Sequence, residues 1–323
     1  MSFVAILTAA VISFAALVLL SIVVERVRRA PSAPNQLVWA PSIPIQYADV
    51  GELKLRFIRA GTGPNLVLLH TLRTQLDLFE KVVLGLTPHF TVYAVDYPGH
   101  GYSSIPDASY DADFFVHAIE RFLETQDLRE VTLCGVSIGA SIALILAGRH
   151  NPRVARVVAI NPYDYAKGRG LARASFFAWV TVLAAPIPML GDTVMRLRNF
   201  AIMKAIFEGG VANRENFPLA LIKEMYVVGN RRGHYRAFTS LLRHGASWER
   251  STDVYPKINV PVSLVWGDED WATSSEREHD HQLLANAPMT TVDDGGHFLP
   301  LDCPQQVQEL IIRFAGRRLA VRE

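Results

Sequence analysis

The residue best placed to do chemistry is a serine between two glycines, in the segment GVSIG at residues 135–139. An apolar run over residues 131–136 predicts a strand before Ser137, and small and apolar residues over 138–149 predict a helix after it. In a GxSxG segment, a sharp turn between strand and helix presents the serine hydroxyl for nucleophilic attack. The helix N-terminus then offers backbone N–H groups to a developing oxyanion. The alternative is a serine that only caps a helix.

A serine nucleophile needs a base, and that base needs an acid to orient it. Asp270 follows the apolar run SLVWG, and His297 follows the next apolar run in the segment VDDGGHFLP. Taken singly, the aspartate could cap a helix and the histidine could belong to a turn. Together they give the chain order serine, acid, histidine, which is the order of a nucleophile-elbow hydrolase. The sequence therefore predicts Ser137, Asp270 and His297 as a catalytic triad.

Strands and helices must position these three residues, and the sequence predicts both from alternating apolar runs and helical patterns. Nearly continuous apolar runs such as NLVLLH, FTVYAV and VTLCGV are typical of strands buried on both faces of a sheet. Stretches with helical spacing separate most of these runs, and that alternation predicts an α/β fold with a mainly parallel sheet covered by helices. Residues 163–255 break the alternation, lack convincing strands and predict an inserted helical cap. We therefore expect a core formed by residues 45–162 and 256–323.

The N-terminal segment differs from the rest of the chain. Residues 3–24 carry no charge, and a helix of 22 residues is long enough to cross the hydrocarbon layer of a bilayer. Arg26, Arg28 and Arg29 follow it, which by the positive-inside rule predicts a catalytic domain in the cytoplasm. A cleaved signal sequence is the alternative. We thus expect a transmembrane anchor at residues 1–25 and a linker with four prolines at residues 26–44.

Composition limits the partners and cofactors of the protein. The 323 residues include 32 Lys and Arg against 31 Asp and Glu, so the net charge of +1 gives no indication of a nucleic-acid surface. Cys134 and Cys303 lie far apart in sequence and outside any metal-ligand spacing. We expect both cysteines to be reduced and structural, with neither a metal nor an organic cofactor. The sequence leaves the oligomeric state open.

Four segments, VDYPGHGYSS, GVSIG, WGDED and GGHFLP, resemble recurring segments of the α/β-hydrolase superfamily. The resemblance runs from about Gln46 to Arg317 and implies an eight-stranded, mainly parallel sheet with an inserted helical cap. It also implies Ser137 as nucleophile, His297 as base and Asp270 as acid, with Asp164 as the reserve acid.

The resemblance also bears on the reaction. A serine at the elbow points away from the haloalkane dehalogenase and epoxide hydrolase branches and towards acyl transfer to water. Esters, thioesters and lactones are the expected substrates, and the substrate is expected to be small and partly apolar. Two alternatives remain open: hydrolysis of a C–C bond in a ring-fission product, and a non-catalytic ligand-binding protein with the same fold.

One segment departs from the family pattern. Family members commonly have His-Gly after the third strand, whereas this chain has LLHTLRTQ, with Thr71 in the glycine position. If the loop keeps its path, the backbone N–H groups of Leu72 and Ile138 form the oxyanion hole. A β-branched threonine tolerates positive φ poorly, so a remodelled loop is the alternative.

Several side chains are candidates for contact with the substrate. Arg73 could pair with a substrate carboxylate or could be a structural charge. Phe176, Phe177 and Trp179 in the cap could line an apolar entrance, or could pack the cap and graze a membrane. His70, at the end of a buried strand, is expected to be a hydrogen-bonded structural histidine.

Overall fold

The computed structural model describes residues 2–285 and 287–316, so residues 317–323, at the end of the expected second core part, lie outside the described residues. Eight strands form one sheet in the order β1-β2-β4-β3-β5-β6-β7-β8. The expected α/β fold with an eight-stranded sheet is confirmed. The strands are β1 Ile45–Val50, β2 Leu53–Ala60, β3 Asn65–Leu69, β4 Thr91–Val95, β5 Val131–Val136, β6 Val154–Ile160, β7 Val262–Gly267 and β8 Met289–Val292.

The sheet is antiparallel at one side and parallel elsewhere. Strand β2 pairs antiparallel with both β1 and β4, whereas β4, β3, β5, β6, β7 and β8 run parallel. Parallel strands bring their carboxyl ends to one edge, and ligand sites in such sheets lie outside that edge. The loops after β3, β5, β6, β7 and β8 therefore meet at one place.

Helices cover both faces of the sheet and form the cap. Every residue of the helix after β5 is buried, as expected for a helix packed between the sheet and its neighbours. In the described part of the chain the helices are α1 Phe3–Val27, α2 Val83–Leu86, α3 Ala112–Thr125, α4 Ile138–Gly148, α5 Phe176–Ala184, α6 Leu190–Arg196, α7 Phe200–Glu208, α8 Leu219–Val228, α9 His234–Arg243, α10 Ala246–Arg250, α11 Ser274–Leu283, α12 Leu299–Asp302 and α13 Pro304–Ala315. Helices α5 to α10 lie between β6 and β7, where a helical cap was expected.

Helix α1 combines an exposed apolar surface with a polar attachment to the cap. Among the described residues it is the one helix long and apolar enough to cross a membrane. Its body is exposed, whereas its C-terminal end packs against α6 and is tied by polar contacts. Glu25 Oε2 accepts a 2.7 Å hydrogen bond from Arg198 Nη1, and Arg28 donates to the carbonyl oxygens of Arg196 and Arg198.

The proline-containing segment after α1 packs on the core. Leu37, Ala40 and Ile43 are buried, and the indole N–H of Trp39 donates to Asp77 Oδ1 over 2.8 Å. A proline-rich linker was expected at residues 26–44. In the structure these contacts attach residues 37–43 to the domain, because their apolar side chains gain more from burial than from extension into water.

Candidate active site

Ser137 occupies a strained turn between β5 and α4. Its backbone has φ 59° and ψ −122°, a conformation costly for a residue with a side chain, and its N–H donates to Ile160 O over 2.9 Å. A Cβ on Gly135 would lie 2.1 Å from Gly139 C, and one on Gly139 would lie 2.2 Å from Leu69 O. Both glycines are therefore needed for the chain to pass so close to itself. This is the geometry of a nucleophile elbow.

Asp270 and His297 come together across the loops after β7 and β8. His297 Nδ1 lies 2.5 Å from Asp270 Oδ2, and both side chains are fully buried. The second carboxylate oxygen, Oδ1, accepts a 2.8 Å hydrogen bond from the N–H of Ala272, which fixes the carboxylate plane. A buried carboxylate on Nδ1 leaves Nε2 of the imidazole as the atom that can exchange a proton.

The hydroxyl and the imidazole each keep one polar atom unused. Ser137 Oγ and His297 Nε2 are both buried, and neither has a hydrogen-bond partner among the described residues. Buried polar atoms without partners are rare and concentrate at functional sites. The arrangement provides an unengaged nucleophile and an unengaged proton acceptor.

Two further residues hold His297 in place, and the sequence reasoning missed both. The indole of Trp271 stacks on the imidazole with ring centroids 3.7 Å apart, and its N–H donates to Gly209 O. Asn161 Nδ2 donates to the carbonyl oxygens of Gly296 and His297, and its Oδ1 accepts from Gly267 N–H. The sequence signals were the tryptophan directly after the proposed acid and the asparagine directly after β6.

Asp164, the reserve acid, belongs to a different cluster. Its Oδ2 accepts a 2.5 Å hydrogen bond from the hydroxyl of Tyr255, and its carboxyl group lies close to that of Asp280. Burial raises the pKa of Asp164, and burial together with the neighbouring Asp164 raises that of Asp280. The carboxyl group in contact with His297 is thus that of Asp270.

The loop after β3 takes its unusual conformation at Arg73 instead of Thr71. Arg73 has φ 61°, and Thr74 N–H closes the turn by donating to Thr71 O over 3.3 Å. A turn with positive φ at its third residue lets the β-branched threonine keep an ordinary conformation. The N–H of Leu72 is not used by this turn bond, and the N–H of Ile138 lies in the first turn of α4, where helical partners are lacking. Both N–H groups therefore remain candidates for the oxyanion hole.

His70 supports this loop. Its Nδ1 lies 2.8 Å from Thr71 O, while its Nε2 accepts from the N–H of Tyr97 over 3.3 Å. These partners place the proton on Nδ1. Burial lowers the pKa of His70 to about 3, so the ring is neutral and structural.

An apolar cavity lies between the cap and the sheet edge. Phe177 lines it, whereas Phe176 and Trp179 are 70% and 48% exposed and stack on each other outside it. Phe176 and Trp179 were expected as candidates for the apolar entrance. They do not line the cavity, because they lie on the outward face of α5. The lining residues are Leu72, Arg73, Leu171, Phe177, Val180, Thr181, Val194, Met195, Arg198, Ile202, Met203, Ile206, Phe207, Phe238, Trp271 and Phe298.

The two cysteines and the possible metal-ligating side chains show no further site in the described part of the chain. Cys134 and Cys303 are buried free thiols. Within residues 2–285 and 287–316, no three His, Cys, Asp or Glu side chains are grouped so that they could hold a metal ion.

Comparisons with known sequences bear on the family. The sequence model of the α/β hydrolase fold family matches residues 64–201. An uncharacterised protein of Mycobacterium tuberculosis is 23% identical over 283 residues, covering 84% of this chain and 80% of the relative. The human monoacylglycerol lipase ABHD6 is 24% identical over 276 residues, covering 79% of this chain and 76% of the lipase.

Solved structures extend the similarity to nearly the whole chain. Cfl2 from Burkholderia cenocepacia superposes with a TM-score of 0.75 at 20% identity, over 88% of this chain and 99% of that one. A bacterial membrane phospholipase A superposes with a TM-score of 0.69 at 21% identity, over 97% of this chain and 95% of that one. The family match over residues 64–201 and the structural matches agree, so this chain has the α/β-hydrolase fold.

Proposed function

We propose that the protein is a serine hydrolase that cleaves a carboxylic ester through an acyl-enzyme. The observation that carries the proposal is the 2.5 Å contact between Asp270 and His297, together with a histidine Nε2 and an elbow serine Oγ that are both buried and without partners among the described residues. The hydrogen-bonded acid orients the base, and the unused atoms are those that a serine hydrolase requires.

In the proposed reaction, His297 Nε2 takes the proton of Ser137 Oγ as that oxygen bonds to the carbonyl carbon. The bond from that carbon to the alcohol oxygen then breaks, and the alcohol leaves with the proton from His297. Water repeats the sequence on the acyl-enzyme: His297 takes a proton from the water and returns it to Ser137 as the acid departs. The buried Asp270 carboxylate stabilises the imidazolium formed in each half.

The negative charge on the carbonyl oxygen needs donors already in place. We assign this role to the backbone N–H groups of Leu72 and Ile138, which flank the elbow from the loop after β3 and from α4. The cavity beside Leu72 is mostly apolar, which supports a small substrate with a hydrocarbon part.

A fluorophosphonate probe and short 4-nitrophenyl esters test this function on the full-length protein in detergent. We expect covalent labelling and turnover by the wild type, loss of both in Ser137→Ala, and retention of both in Ser275→Ala, which changes an exposed serine of α11. A folded wild-type protein that neither labels nor turns over any ester would favour a ligand-binding role and refute the proposal.

We also propose that α1 anchors the enzyme in a membrane with the catalytic domain in the cytoplasm. The exposed apolar body of α1 supports the anchor, and the flanking Arg26, Arg28 and Arg29 support the orientation. The exposed face of α5, with Phe176 and Trp179, would then graze the same membrane.

Reporter fusions in a bacterial host test this topology. A C-terminal alkaline phosphatase fusion should be inactive and a fluorescent protein fusion should fluoresce. The reverse pattern would contradict the orientation, and mass spectrometry showing a cut after α1 would replace the anchor with a signal sequence.

A further inference from the structure

The side chain of Arg73 is a buried cation at the wall of an otherwise mostly apolar cavity. It is 5% exposed and its guanidinium lies 5.1 Å from the ring centre of Phe238. Its Nη1 donates to His234 Nδ1 over 2.7 Å, and its Nη2 lies 3.9 Å from Met203 Sδ. Its Nε has no hydrogen-bond partner among the described residues. The guanidinium therefore still has unused donors.

Two other buried arginines of the chain show what Arg73 lacks. Arg56 makes ion pairs with Asp77 and Asp96, at 3.0 and 3.3 Å. Arg198, which also lines the cavity, pairs with Glu25 at 2.7 Å. Arg73 makes no ion pair with any Asp or Glu in the described part of the chain. A buried charge without a counter-charge is costly, so such a group is expected to meet its anion from outside the fold.

Glu25 acts on Arg73 electrostatically and raises its pKa, but its carboxylate is already paired with Arg28 and Arg198. Burial, with the neighbouring Arg73 and His100, lowers the pKa of His234, so its imidazole is neutral and its Nδ1 accepts a hydrogen bond from Arg73. Burial and the nearby Arg198 lower the pKa of Arg73 to about 9, which leaves the guanidinium protonated at neutral pH. The cavity thus presents a net positive charge next to the loop that carries Leu72.

We propose that Arg73 binds a carboxylate carried by the substrate, so that the natural substrate is an ester bearing an anionic group. The planar guanidinium matches the two oxygens of a carboxylate, and the surrounding apolar wall accommodates the carbons between that group and the ester. The inference rests on the proposed ester hydrolysis and adds the class of substrate.

Matched esters test the proposal on full-length protein in detergent. The 4-nitrophenyl half-ester of adipic acid and 4-nitrophenyl hexanoate have acyl chains of equal length and differ in a terminal carboxylate. A second pair, 4-hexanoyloxybenzoate and its neutral benzamide analogue, places the carboxylate on the alcohol side. After correction for rates of alkaline hydrolysis, we expect kcat/KM of the wild type to favour the anionic member of one pair at least tenfold. The pair that shows this preference identifies whether the carboxylate lies on the acyl side or the alcohol side of the ester.

Variants then attribute that preference to Arg73. Arg73→Gln should lower kcat/KM for the anionic ester at least tenfold, mainly through KM, and change the neutral ester no more than threefold. Arg73→Lys should restore part of the preference. The matched control is Glu25→Gln/Arg198→Gln, which removes the paired cation of the same cavity with its partner and should change both members of a pair by the same factor.

The outcomes separate this inference from the proposed function. If the wild type hydrolyses the neutral ester and rejects the anionic ester in both pairs, the proposed role of Arg73 is overturned, while the proposed ester hydrolysis is retained. The wild-type protein alone is sufficient for this test. Equal effects of Arg73→Gln on both members also overturn it. A wild type inactive on all four esters refutes the proposed ester hydrolysis itself.

Discussion

The carboxyl-end edge of the sheet and the helical cap each provide half of the candidate site, and they are built differently. At the sheet edge, Ser137, Asp270 and His297 each follow the end of a strand, and residues at the end of β6, Ile160 and Asn161, bind the backbones of Ser137 and His297. In the cap, polar groups meet across long stretches of chain, as Arg73 meets His234 and Arg198 meets Glu25. Under the proposed function, the edge carries the chemistry and the cap carries the features that select a substrate.

The largest expected effect concerns the sheet edge. Ser137→Ala and His297→Ala should each lower kcat on 4-nitrophenyl esters by about 10⁴-fold or more, because nucleophile and base act as a unit. Stopped assays at high enzyme concentration, with circular dichroism to verify folding, measure the loss. Turnover near that of wild type in either folded variant would contradict the triad.

A smaller effect separates the two acids. Asp270→Asn should lower kcat by about 10²- to 10⁴-fold, because His297 loses both its orientation and the charge that stabilises imidazolium. Asp164→Asn should alter kcat by less than about fivefold, since Asp164 contacts Tyr255 and Asp280 instead of His297. The same ester assay measures kcat of both variants. A larger loss of kcat in Asp164→Asn than in Asp270→Asn would mean that the catalytic acid is Asp164, in the loop after β6.

The next prediction concerns the attachment of α1 to the cap. Removing residues 2–20 leaves Glu25 and Arg28 in place, whereas removing residues 2–29 leaves Arg198 buried without its carboxylate. Breaking a buried ion pair costs about 3–5 kcal/mol, so the longer deletion should lower Tm by roughly 5–15 °C and the shorter by much less. Thermal unfolding in one detergent measures both.

Point variants sharpen that comparison. Glu25→Gln in the full-length chain should reproduce most of the loss of stability, while Arg29→Gln, at an exposed position, should not. Equal Tm values for the two deletions would mean that α1 is only a tether and that the cap is stable without it.

The difference between edge and cap also explains what the sequence could predict. The edge was predictable because GVSIG, the aspartate after β7 and the histidine after β8 are each set by nearby residues and by strand order. The positive φ at Arg73, the stacking of Trp271 on His297 and the pairing of Glu25 with Arg198 depend on how distant segments pack. Phe176 and Trp179 show the same limit, because the composition of α5 gives no indication of which face meets the cavity.

The smallest expected effect concerns the buried carboxyl pair of Asp164 and Asp280, and it depends on pH. Burial raises the pKa of both groups in the folded state, and the neighbouring Asp164 raises that of Asp280 further, whereas both ionise near pH 4 in the unfolded chain. The folded protein thus keeps a proton that the unfolded chain has released, so this pair's contribution to stability is full below pH 4 and is lost as pH rises through the raised pKa.

Asp280→Asn cannot ionise and keeps an N–H for Asp164, so its Tm relative to wild type should rise by a few °C, or about 1 kcal/mol, between pH 5 and pH 9. Differential scanning fluorimetry across that range, with the exposed Asp253→Asn as control, measures the difference. A Tm difference that stays constant with pH would mean that folding does not raise the pKa of this pair and would contradict the prediction.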